Sequence, residues 1–135
     1  MKSLCNQRRF TYGKGRYAVF GCLNLLGSDA VLLIGGGEKP HAGCIVICEP
    51  DEANGGVTTS VYTFTAHREE VVARPIAEAL CRLTGAKVVC VCGIHVDNAT
   101  KSDIDLLVEN THKLGRMILE DSGIVKKKRK QKEWR

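Results

Sequence analysis

Three of the four histidines, His41, His67 and His95, stand at the ends of strand-like apolar runs, where a side chain reaches a rim rather than the core. Imidazole changes charge near neutral pH, so such residues can shuttle protons, donate to a phosphate or a flavin edge, or bind a metal when neutral. Lys39 and Arg68 add cationic donors one or two positions away. Beside them, residues 35–43 read Gly-Gly-Gly-Glu-Lys-Pro-His-Ala-Gly. Gly35, Gly36 and Gly37 allow positive φ and close approach to a ligand, and Pro40 stiffens the turn that carries His41 towards Gly43. This is not a Walker loop, since Gly-Lys-Ser/Thr is missing, and it does not match Gly-x-Gly-x-x-Gly before a helix.

A metal reading takes His41, His67 and His95 as neutral ligands for zinc or another divalent ion, with Asp97 available to complete the set. Nothing has the close His-Glu-x-x-His pairing, so these ligands must meet through the fold. The seven cysteines, at 5, 22, 44, 48, 81, 90 and 92, are odd in number and lie mostly in apolar runs. With no apolar leader at the N-terminus, they read as reduced, buried thiols of a cytoplasmic protein rather than as a disulfide framework.

The elements that must position these residues follow from periodicity. Residues 16–26 and 30–34 read as a strand pair around Gly27-Ser28-Asp29, and residues 44–48 as a third, β-branched strand. Residues 49–56 are dense in turn formers, and residues 57–66 alternate with the period of a fourth strand. Val72, Ile76, Ala79, Leu80 and Leu83 keep helical spacing up to Gly85; Pro75 predicts either a helix starting there or a kinked turn before it. Residues 86–94 form an apolar strand buried on both faces, and Thr100 with Asp103 caps a last helix that ends before Gly123.

Counting outward from a hairpin in which Glu49 faces Thr58 sets residue 41 near residue 66 and makes His41 and His67 neighbours. A right-handed crossover then returns the fifth strand parallel to the fourth and brings His95 to the same end. Both helices start from this end, which predicts an anion-binding corner. The fold expected is α+β: a two-layer sandwich with a mixed, mainly antiparallel sheet of about five strands and two main helices on one face. Residues 1–15 are expected as an N-terminal extension, 16–122 as one domain and 123–135 as a disordered basic tail.

Charge divides along the same lines. Residues 126–135 hold seven of the 20 basic and one of the 15 acidic residues, leaving 13 basic and 14 acidic in the rest. The globular part is therefore nearly neutral, and with aromatics at 5% it offers neither a basic stripe nor a stacking platform for nucleic acid. No run approaches the length of a membrane span. Apolar residues on the uncovered sheet face predict a homo-oligomer.

Taken together, residues 35–43, His67-Arg68-Glu69 and Gly93-Ile-His-Val-Asp-Asn-Ala-Thr100 resemble the prenylated-flavin chaperone family associated with gallate decarboxylase, over most of residues 16–120. The resemblance implies an accessory protein, not an enzyme, that binds prenylated FMN or FMN and helps a UbiD-type decarboxylase acquire active cofactor, with a flavin prenyltransferase as a second partner. Carried over by position, it implies cofactor-binding roles for Gly36, Gly37, Pro40, His41 and Gly43, for His67 and Arg68, and for Gly93, His95, Val96 and Thr100. Gly35, Lys39 and Asn98 join them as neighbours within the same motifs. Such a cofactor needs an anion site, which Lys39, Arg68 and the helix starts suit, and an apolar surface, expected near Tyr62 and Phe64. The Lys-rich end after Val125 departs from the family core.

Overall fold

The computed structural model describes residues 5–65 and 67–121. Six strands, β1 (Cys5–Tyr12), β2 (Val19–Leu26), β3 (Asp29–Gly37), β4 (Cys44–Asp51), β5 (Gly56–Thr63) and β6 (Val88–His95), form one sheet in the order β1-β2-β3-β6-β4-β5. Only the β3–β6 pairing is parallel. Two helices, α1 (Glu70–Thr84) and α2 (Lys101–Leu119), cover one face, so the α+β class expected from the sequence is the one observed.

The extra strand is β1, which lies in the segment expected as an extension and pairs with β2 along its whole length. Its alternation is masked because Arg8, on the helix side, is held by Asp121 at 3.3 Å instead of being apolar. The β4–β5 register places Glu49 opposite Thr58, as counted from the turn. Strand β6 runs parallel to β5 but does not touch it; it enters between β3 and β4, whose inner edges the two hairpins leave unpaired.

Alternate residues of each strand face the helices. Leu23, Leu32, Val46, Val88, Cys90 and Cys92 are fully buried there against Ala73, Ala77 and Leu80 of α1 and Leu114 and Ile118 of α2. The opposite face has no covering layer among the described residues. Val89 and Val91 are half-buried rather than enclosed on both sides, and Phe20, Leu33 and Ile47 are exposed.

Helix α1 starts five residues before Pro75 instead of at it. Proline removes the donor to the carbonyl of Val71, but both residues lie on the solvent side, where that carbonyl is accessible to water and the helix tolerates the gap. Helix α2 starts with a reciprocal capping box: Asp103 N–H donates to Thr100 Oγ1 (3.1 Å), and Thr100 N–H donates to Asp103 Oδ2 (2.9 Å).

The triple glycine is strand, not loop. Gly35 and Gly36 pair with Phe20 and Val19 on one side and with Gly93 and Ile94 on the other. A Cβ on Gly36 would lie 2.7 Å from the Ala18 carbonyl oxygen, so these residues admit neighbouring strands closely rather than a ligand. Gly36→Ala should therefore destabilise by about 1–3 kcal/mol through overpacking. Leu32→Ala, at a site with no exposure, should cost about 2–5 kcal/mol. Urea unfolding should read both as a lower midpoint at unchanged slope.

Candidate functional site

The site lies where β3 and β6 end and β4 begins. Beyond β3 the chain does not loop out; it continues along the end of β6. Glu38 and Lys39 N–H both donate to the His95 carbonyl (2.7 and 3.2 Å), His41 N–H to that of Gly93 (3.4 Å) and Gly43 N–H to that of Cys92 (2.9 Å). Two glycines permit this contact. A Cβ on Gly93 would overlap the His41 carbonyl, and Gly37 turns with φ 72° beneath the carbonyl of His95.

His41 and His67 meet as the register requires, with Nε2 of His41 3.1 Å from Nδ1 of His67. The third member is Glu69, whose Oε1 lies 3.0 Å from His41 Nε2 and 3.3 Å from His67 Nδ1. Its other oxygen, Oε2, is buried with no hydrogen-bond partner among the described residues. The carboxylate packs over Gly43, where a Cβ would come within 2.6 Å of it.

His95 does not join this group. Its ring stands edge-on to His41 at 6.3 Å between centroids, and its Nε2 pairs with Asp97 Oδ1 at 3.0 Å. Lys39 is committed to the same carboxylate at 3.1 Å, and these two partners, Lys39 first, hold the Asp97 pKa below its ordinary value. Of the metal set expected from sequence, the fold therefore joins His41 and His67 to Glu69 and turns His95 to Asp97.

The anion corner differs from expectation too. The Asp103 amide in the first turn of α2 is taken by the Thr100 hydroxyl, and the Asp103 carboxylate is held ionised chiefly by the Thr100 amide and then by Tyr17 Oη–H, which donates at 2.7 Å. Thr100 thus serves the helix. Glu70 places another carboxylate in the first turn of α1. Arg16 bridges Glu38 and Asp103 at 3.8 and 4.0 Å. Arg68, by contrast, makes no ion pair among the described residues, and it borders a cavity.

That cavity, about 410 Å3, is a groove between the first turns of α1 and α2 and the end of β6. Val72, Ile94, Val96, Ile104, Leu107 and Val108 give it apolar walls, and Arg68, Glu69, His95 and Asn98 a polar rim. Asn98 reaches it from a left-handed backbone, φ 52°. Val72, Ile104, Leu107 and Val108 keep helical spacing in the sequence and so read as core stripes of the two helices; the signal for the groove is that both stripes continue to the helix starts. Tyr62 and Phe64 pack together at 5.1 Å beyond the groove and are largely exposed. Pro40 is exposed between Lys39 and His41.

Comparison with known proteins bears on this arrangement. A family model for the prenylated flavin chaperone LpdD-like domain matches residues 13–122. The Protein LpdD of Lactiplantibacillus plantarum is 24% identical over 110 residues, which span 82% of this chain and 81% of that protein. A crystal structure described as a novel chaperone complex for yeast 20S proteasome assembly superposes with a TM-score of 0.63 at 15% identity, over 87% of this chain and 94% of the other. At that identity the likeness is one of fold.

Two outcomes follow from the titrating groups. The pKa of Asp103 is lowered by folding, so its stabilising contribution is complete above the free carboxylate pKa of about 4 and is lost as pH falls through the lowered value. Thermal unfolding should show a midpoint that drops on acidification, and the drop should be smaller in Asp103→Asn. Burial raises the thiols of Cys44 and Cys81 to about 11, and those of Cys48, Cys90 and Cys92 upward as well. A thiol reagent at pH 8 should leave these five unmodified in the native protein and titrate them after unfolding.

Proposed function

As this chain belongs to the prenylated flavin chaperone LpdD-like family, we propose that it is a non-catalytic carrier that binds prenylated FMN and delivers it to a UbiD-type aromatic-acid decarboxylase. The observation that carries this reading is the apolar groove of about 410 Å3 with Arg68, unpaired among the described residues, at its rim. A flavin needs an apolar slot for its ring system and a cation for its phosphate, and cavities of this size suit such ligands. In this reading Arg68 meets the phosphate, the groove between α1 and α2 holds the ring and its prenyl addition, and Asn98, His95 and the His41–His67 pair contact polar edges. Gly37, Gly43 and Gly93 act through the backbone path that brings those residues together, and Lys39 through its hold on Asp97.

The groove is open, and among the described residues Arg68 is the one cationic Lys or Arg side chain that lines it, with Glu69 also in the lining, which favours moderate affinity and release of cargo. A flavin prenyltransferase would be the donor and the decarboxylase the acceptor. The bare sheet face, with Phe20, Leu33 and Ile47 exposed, fits a second copy of the chain. Of the seven cysteines, Cys22, Cys44, Cys48, Cys81, Cys90 and Cys92 are free, the last five of them buried, which fits a reducing cytoplasm. A metal-dependent enzyme built on His41, His67 and His95 is not favoured, because the family is one of chaperones and His95 is turned away to Asp97.

Co-expression with a flavin prenyltransferase and purification without a tag should yield protein with a co-eluting flavin spectrum that accelerates activation of apo-decarboxylase. Ile104→Trp, which fills the groove from an exposed position, should abolish co-elution. Arg68→Ala should weaken it by about ten-fold or more, the worth of one charged hydrogen bond. Wild-type protein that carries no flavin would refute the proposal.

A further inference from the structure

We infer that His41, His67 and Glu69 form a three-ligand site for one divalent transition-metal ion of the zinc type. The inference stands on these side chains alone and does not depend on flavin binding. Their three facing atoms are separated by 3.0, 3.1 and 3.3 Å. A tetrahedral ion with arms of about 2.0–2.1 Å to nitrogen and oxygen holds its ligand atoms roughly 3.3–3.4 Å apart, within a few tenths of that spacing.

Proton placement points the same way. Nδ1 of His41 lies 3.0 Å from the Lys39 carbonyl, which can only accept, so the ring hydrogen sits on Nδ1. In the neutral ring, Nε2 then presents a lone pair to the cluster, and a backbone carbonyl behind the ring is the usual way of fixing a ligand histidine in that tautomer. Glu69 Oε1 is also an acceptor, so two lone pairs face one another at 3.0 Å. A single hydrogen on His67 Nδ1 can serve only one of them. Either a second proton or a metal cation must occupy the centre.

Two further features favour the cation. Glu69 Oε2 is buried without a donor among the described residues, so its charge has to be answered through Oε1. Gly43 and Gly93 make room for the cluster, since a Cβ at 43 would strike the Glu69 carboxylate and one at 93 the His41 backbone carbonyl. The imidazoles keep 25% and 33% exposure, which leaves the fourth position open to water or to an anionic oxygen.

Tag-free protein stripped with chelator should bind one Zn2+ per chain in calorimetry. Co2+ in its place should give the visible bands of a four-coordinate nitrogen and oxygen site without thiolate charge-transfer absorbance. His41→Ala and the near-isosteric Glu69→Gln should each lower affinity by at least about ten-fold, and His95→Ala should leave it unchanged, with circular dichroism confirming that each variant is folded. Absence of stoichiometric binding in the wild type would mean that a proton holds the centre and would overturn the inference, as would full affinity in folded Glu69→Gln. Flavin co-elution scored on the same samples separates the two readings: metal binding without flavin leaves this inference standing, and flavin binding without metal removes it alone.

Discussion

The contact on which this structure depends is that of the His41 backbone against Gly93. The carbonyl of His41 occupies the space that any side chain at position 93 would need, and the amides of Glu38, Lys39, His41 and Gly43 bond to the carbonyls of His95, Gly93 and Cys92 along β6. A connection that could have been mobile is thereby held like a strand. His41 is fixed by its backbone and by the Lys39 carbonyl at Nδ1, which turns its Nε2 towards the Glu69 carboxylate at 3.0 Å. A side chain so constrained loses little further freedom on meeting a ligand, which is the physical content of preorganisation.

Charge is arranged around that contact with few loose ends. Asp97 serves Lys39 and His95, Glu38 and Asp103 serve Arg16, and Glu69 serves both imidazoles. The exposed pairs among these, such as Lys39–Asp97, contribute little to stability, so their role here is placement. They leave Arg68 as a cation beside the groove with no carboxylate of its own among the described residues. One such guanidinium at an apolar cleft is a modest attractor for an anionic group such as a phosphate.

The two faces of the sheet divide the remaining tasks. Helices α1 and α2 cover one face, packed closely where Gly115 admits Ile76, and they separate towards their first turns to leave the groove. The other face is bare among the described residues and carries apolar side chains across β2, β3, β4 and β6. The groove and the bare apolar face are thus separate surfaces on opposite sides of the sheet.

Features encoded locally were legible in the sequence. The capping box at Thr100 and Asp103, a chain reversal within residues 49–56, which the structure tightens to 52–55, and the two-residue alternation of β5 each depend on neighbours in the chain, and counting from the turn sufficed to bring His41 and His67 together. What depended on distant pairing was not legible. Insertion of β6 between two hairpins, recruitment of Arg8 and the first strand to the sheet edge, Glu69 completing the histidine pair and His95 turning to Asp97 are all decided by which edges and carboxylates the fold leaves free. The glycines show the difference most clearly: their backbone freedom was evident from residue type, but their use in close strand packing emerges only when Val19, His41 and Glu69 are brought against them.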